Sequence, residues 1–249
     1  MSDLLVANDL TRSFPGRRLM GQMLRGRGRP LVRALNFRSR RPLGPPRDNG
    51  GGAMINWKSA RQLPQPDVHA FPVQGRSAVP GLSLRYPLDG DIFAIGVGLM
   101  RSKSVGFLRL RSADPAGPLE IQPNFLAEPS DLDALIEAVG TVMDLVRTRA
   151  FADYFGGFAA PDRPLNRVET SDFIRESCST FFHTCGTCAM GSAGHAVVDP
   201  RLQVRGIDGL MIADASVIPI IPSCNTHAPV TMIAERAATF LLAATGEPA

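Results

Sequence analysis

Apolar residues arrive in short blocks through the middle of the chain, at 53–57, 67–73, 92–100 and 105–111, each bounded by polar, glycine or proline positions. Blocks of that length and punctuation predict β-strands. Within the last block Leu108 and Leu110 fall on one side and Arg109 and Arg111 on the other, the alternation of a half-buried strand. Arg101, Ser102, Lys103 and Ser104 separate the last two blocks, an interval short enough to turn a hairpin. The region reads as a mostly antiparallel sheet.

The period then changes. Over 131–149, Leu132, Leu135, Ile136, Val139, Val142, Met143 and Val146 line one stripe at helical spacing, with Ser130 and Asp133 as a capping pair. A shorter helix is predicted over 171–178. Near the end, Pro229 suits a first helical turn, and Val230, Ile233, Ala237, Phe240 and Leu241 recur at helical spacing until Gly246 can close the helix. Between these helices, Leu210, Met211, Ile212 and Ala213 form an apolar block of buried-strand type, ended by Asp214 and followed by the breakers Pro219 and Pro222. A strand ending in a small acidic turn places that turn at the carboxyl edge of a sheet, where open α/β sheets bind ligands. His227 falls just before the last helix, where free N–H groups and the positive end of the dipole favour an anion or a developing negative charge.

Composition adds limits. At 249 residues and 44% hydrophobic, the chain can build a sizeable core. The net charge of +4 is modest but uneven, because Arg12, Arg17, Arg18, Arg25, Arg27, Arg29, Arg33, Arg38, Arg40, Arg41 and Arg47 crowd the opening segment among glycines and prolines. That segment reads as a solvated or partly ordered lead-in, or as one that packs on a partner. A basic arm for nucleic acid is the competing reading, and no aromatic interleaving accompanies the charge, so no nucleic-acid partner is expected. No stretch is apolar for long enough to span a membrane, and the first residues lack the order of a secretory signal. Four cysteines do not make a disulfide scaffold in a chain of this length, which favours a reducing, cytoplasmic setting. Cys185 and Cys188 have the spacing of a redox or zinc pair but lack the second pair of a structural zinc site, so no metal is expected. His195 reads as an exposed loop residue and His69 as structural.

The unusual order lies in the last third. His183-Thr184-Cys185-Gly186-Thr187-Cys188-Ala189-Met190-Gly191 is followed by Val197-Val198-Asp199-Pro200-Arg201-Leu202, by Gly209-Leu210 with Asp214-Ala215-Ser216, by Asn225-Thr226-His227-Ala228-Pro229, and by Met232-Ile233-Ala234-Glu235-Arg236-Ala237-Ala238. This succession resembles the C-terminal part of the glucose–methanol–choline family of flavin-dependent oxidoreductases, closely from Phe181 onward and more loosely from about Pro64. The resemblance implies two side chains facing the flavin from the substrate side, His183 and His227, and FAD as cofactor. It implies that Asp214 and Ala215 approach the phosphate and ribityl portion, and that Asn225, Thr226, His227, Pro229 and Val230 lie along the ring. The implied reaction oxidises a small-molecule alcohol. An imidazole, titrating near neutral pH, takes the hydroxyl proton while a hydride leaves the carbon for the flavin. Which histidine is the base stays open. The chain departs from the family pattern at Thr184, Cys185, Ala189 and Val230-Thr231.

The family's opening Gly-x-Gly-x-x-Gly turn does not occur: Gly26-Arg27-Gly28 and Gly96-Val97-Gly98 both lack the third glycine at its offset. The expected organisation is a lead-in over 1–52, a substrate-binding domain over 53–195, and over 196–249 the C-terminal part of an FAD-binding domain. The expected fold class is α+β: an antiparallel substrate-domain sheet flanked by helices, plus a strand and helix of an incomplete Rossmann-like domain. An N-terminal FAD-binding half is the expected partner. A truncated, inactive fragment and a basic interaction module are the alternatives.

Overall fold

The computed structural model describes residues 5–13, 54–74, 85–86, 92–152, 155–192 and 194–245, with backbone alone at 5–13, 73–74, 92–93 and 245. Most of the arginine-rich opening, with its glycine run, and the helix-closing Gly246 lie outside the described residues. In chain order the strands are β1 (Leu5–Ser13), β2 (Ile55–Trp57), β3 (Val68–Gln74), β4 (Ile92–Leu99), β5 (Phe107–Leu110), β6 (Leu119–Gln122), β7 (Phe158–Ala160) and β8 (Cys178–Thr180). The helices are α1 (Pro129–Leu145), α2 (Arg167–Ser177) and α3 (His227–Thr245), with short 3-10 turns at Arg149–Phe151 and Ala215–Val217. Among the described residues no helix is long and apolar enough to cross a membrane. The mixed, antiparallel α+β class expected from the pattern is the one observed.

Two compact units divide the chain, one formed by Val6–Leu99 and Leu132–Ser179, the other by Met1–Leu5, Met100–Asp131 and Thr180–Ala249. The first holds the main sheet, ordered β2-β3-β4-β1-β7 with β8 paired to β1. Strand β4 is buried continuously over 94–100, which explains an apolar run with no polar alternation: both of its faces are covered. It pairs antiparallel with β3 from Val68↔Leu99 to Gln74↔Phe93. His69 is fully buried there, opposite Gly98, with its ring edge-on to Phe71 at 5.5 Å between centroids. A Cβ at position 98 would stand 2.3 Å from His69 Nε2, so glycine is what leaves room for the imidazole.

Helix α1 buries Leu135, Ala138, Val139, Val142 and Met143 along one stripe, as its spacing predicted. The predicted Ser130/Asp133 capping pair is not formed: Ser130 lies inside the helix, and Asp133 pairs with Arg167 instead. Helix α2 begins earlier than its apolar pattern suggested, because Asn166 accepts from the Glu169 backbone N–H (3.0 Å) while the Glu169 side chain accepts from the Asn166 N–H (2.9 Å). Arg163 grips the same carboxylate with both guanidinium nitrogens, and this pairing, reinforced by the Asn166 N–H, holds the Glu169 pKa down to about 2.

In the second unit the expected hairpin between β4 and β5 does not form. Asp131, buried at the start of α1, accepts from Ser102 Oγ (2.7 Å), Lys103 N (2.9 Å), Ser104 N (2.8 Å) and Ser104 Oγ (2.6 Å), so the polar interval wraps a carboxylate and does not turn back on itself. Strand β5 pairs with β6 as a separate two-stranded ribbon. Gly106 permits its close start, since a Cβ there would lie 2.3 Å from the Gln122 carbonyl oxygen. The unit's core joins Met100, Cys185, Val198, Leu202, Val217, Ile218, Ile221, Ile233 and Ala237. Leu210–Ala213, expected as a strand, has only the single bridge Gln203↔Met211, because a strand forms its ladder only against a neighbouring strand. Leu241, predicted as part of the α3 stripe, is exposed.

Candidate functional site

The site is assembled around Thr226. Its backbone carbonyl accepts the Val230 N–H at 2.9 Å, starting α3, and its buried hydroxyl lies 3.0 Å from His183 Nδ1. One threonine therefore ties His183 to the residue next to His227, across the long intervening sequence. His227 is the first residue of α3 and is exposed, at the end where the unpaired helical N–H groups lie. Pro229 and Val230 follow in the first turn, as expected for a helix that opens on proline.

His183 is held from its own side by packing. Phe181 sets its ring edge-on to the imidazole, 5.1 Å between centroids at 81°. Phe182 between them has φ 62° and is 85% exposed, with its N–H donated to Thr180 Oγ1 at 3.0 Å. That left-handed turn swings Phe182 outward and leaves Phe181 and His183 together. Partial burial lowers the His183 pKa below the ordinary histidine value, since the imidazolium would lose hydration. The neutral ring, which can accept a proton, is thereby favoured. With Nδ1 engaged by Thr226, Nε2 is the ring nitrogen outside that contact. Donation of Nδ1–H to the threonine oxygen is the tautomer that leaves Nε2 a base.

The segment after His183 runs past the Asp214 turn. Cys188 N–H donates to the Ser216 carbonyl (2.9 Å) and Met190 N–H to that of Val217 (2.9 Å). Asp214 caps this turn by accepting from the Ser216 N–H at 2.8 Å, so the carboxylate is spent locally while remaining exposed. The four cysteines form no disulfide with one another, and Cys185 is buried in the core. His195 is exposed and His69 is buried in the other unit, as the sequence suggested. A concavity of about 610 Å³ in the sheet unit, among Arg85, Tyr86, Asp162, Arg163 and Phe173, contains neither catalytic candidate, and its arginines are paired with Glu176 and Glu169.

In the segment leading into α3, two polar atoms, Ser223 Oγ and Asn225 Oδ1, are buried and have no hydrogen-bond partner. Their sequence neighbourhood, leading into the N-terminus of α3, suits the polar edge of a heteroaromatic ring that both donates and accepts. Ser223 was not singled out from the sequence, where a lone serine in a loop carries no signal; only its orphaned hydroxyl marks it.

Residues 102–234, more than half of the chain, match the family model described as GMC oxidoreductase. The chain belongs to the GMC oxidoreductase family. The oxygen-dependent choline dehydrogenase of Chromohalobacter salexigens is 32% identical over 189 residues, covering 74% of this chain and 32% of that protein. Human mitochondrial choline dehydrogenase is 33% identical over 195 residues, covering 77% and 32%. A solved structure of Aspergillus oryzae formate oxidase, determined in work on modification of its FAD, superposes with a TM-score of 0.77 at 25% identity, over 97% of this chain and 46% of that one. The GMC family is FAD-binding, and the matched region is its C-terminal part. The chain spans about a third of the length of the curated relatives it matches.

Proposed function

We propose that this chain supplies the substrate side of an FAD-dependent GMC oxidoreductase that oxidises an alcohol, with His183 and His227 as the proton-handling pair. The observation that carries the reading is the contact between His183 Nδ1 and Thr226 Oγ1, which couples one histidine to the helix start that bears the other. His183 Nε2, lowered in basicity yet neutral at physiological pH, accepts the hydroxyl proton. His227, at the α3 N-terminus, orients the alcohol and stabilises developing alkoxide charge together with the helix N–H groups. The same roles can be exchanged between the two rings. When bound, FAD supplies the hydride acceptor. Asn225 with Ser223 would contact its ring edge, Thr226, Pro229 and Val230 would flank the ring, and Asp214 and Ala215 would lie toward its phosphate and ribityl portion. Choline, named in the two dehydrogenase relatives, is the first alcohol to test.

The share of the relatives that the chain spans supports a requirement for an N-terminal, FAD-binding half. The test is reconstitution with such a half, followed by anaerobic mixing with choline and other alcohols while flavin absorbance is recorded. His183→Ala and His227→Ala should each slow reduction by about two to four orders of magnitude. Equal single-turnover rates in both variants and the parent would reject the catalytic assignment.

A further inference from the structure

The β5–β6 ribbon is turned inside out. Antiparallel partners Leu108↔Ile121 and Leu110↔Leu119 share one face, because directly opposed residues and residues two apart along a strand project to the same side. On that face every side chain is aliphatic and exposed: Leu108 42%, Leu110 79%, Leu119 48% and Ile121 62%. The other face carries Phe107↔Gln122 and Arg109↔Glu120, with the Arg109 guanidinium 4.1 Å above the Phe107 ring, and it includes the ribbon's two less exposed residues, Phe107 and Glu120. The sequence assigned Leu108 and Leu110 to a buried side; the fold leaves that side bare.

Four such side chains present on the order of 300–400 Å² of contiguous aliphatic surface, the size at which an exposed patch marks an interaction site. A second copy of the chain is a poor occupant, since this face alone offers about half of the ~800 Å² per partner of a standard interface. A fragment of a larger interdomain contact fits the size better. The ribbon lies inside the region matched by the family model, and the relatives carry about two thirds of their length beyond what this chain spans. We infer that the Leu108–Leu110–Leu119–Ile121 face is a docking surface for the FAD-binding portion of the enzyme, a polypeptide that presents an apolar strip to it. This rests on the functional reading above, but it concerns assembly and not proton transfer.

The intact chain is mixed with a separately expressed N-terminal two thirds of the Chromohalobacter salexigens choline dehydrogenase, and association is followed by sedimentation velocity and biolayer interferometry. The parent chain and Glu120→Gln, on the opposite face, should bind alike. Leu110→Glu combined with Ile121→Glu should bind at least tenfold more weakly while melting at or above the parent temperature, because both side chains are already in water. Amides of β5 and β6 should gain hydrogen-exchange protection on mixing. Failure of the parent to bind, undiminished binding by the double variant, or a dimer of the chain alone that the double variant dissolves would each overturn the proposal. The last result would assign the face to a second copy. Catalysis is separable, because a His183→Ala/His227→Ala chain should still associate like the parent. A parent complex that associates but whose flavin no alcohol reduces counts against the functional reading and leaves this one standing.

Discussion

His183 Nδ1 and Thr226 Oγ1 meet at 3.0 Å, and through them a ring placed by a loop is locked to the start of a helix. The contact occupies Nδ1, and in the proposed mechanism that leaves Nε2 to act as base. Thr226→Val keeps the shape and removes the hydroxyl, so the Nε2 base tautomer loses its partner. Flavin reduction in the reconstituted enzyme should fall by roughly ten- to a hundredfold, less than the loss from removing a ring. FAD content should be unchanged. Stopped-flow reduction and a flavin spectrum of the same sample check both parts.

Burial lowers the His183 pKa, so protonation is harder in the folded chain than in the unfolded one. The rate of reduction should therefore persist to a pH below the ordinary histidine value of about 6.5 and fall once the ring protonates. The linked stability effect has the same sign. The unfolded state binds the proton first, so the contribution of neutral His183 is fully present above about pH 6.5 and is lost as pH falls through the lower folded value. An NMR titration of the His183 ring should give a midpoint below 6.5; a midpoint above it would contradict the burial argument.

Asp131 holds the 102–104 segment by accepting two backbone and two hydroxyl hydrogen bonds while buried. Asp131→Ala would strand those donors and should cost about 3 kcal/mol of stability, read by urea denaturation. Asp131→Asn should also destabilise, since its NH₂ faces donors, but by less.

Gly98 exists to accommodate His69. Gly98→Ala should destabilise by about 1–3 kcal/mol, because the new methyl meets His69 Nε2 well inside contact distance. Combining it with His69→Ala should recover part of that loss in a double-mutant cycle, which two independent effects would not do.

Periodicity placed the three helices and the strands β2 to β5, because burial of a stripe or of alternate residues leaves its mark wherever the packing is local. The resemblance of the ordered motifs to the family, and not periodicity or spacing, marks His183 and His227 as candidates. The start of α2 is also written in the sequence, as Asn166 and Glu169 three residues apart, a signal that the apolar pattern does not carry.

Other features belong to the third dimension alone. That β5 pairs with β6 and not with β4 follows from a carboxylate at position 131 reaching the 102–104 segment, a contact between residues far apart in sequence. The same holds for Thr226 beside His183 and for the space that Gly98 leaves His69. The sequence by itself determined which side chains are apolar and which can carry a proton; only tertiary structure decided which apolar face is covered. Leu108 and Leu110 show why: hydrophobic alternation says that a face must be buried, but the surface that buries it need not lie in the same stretch of polypeptide.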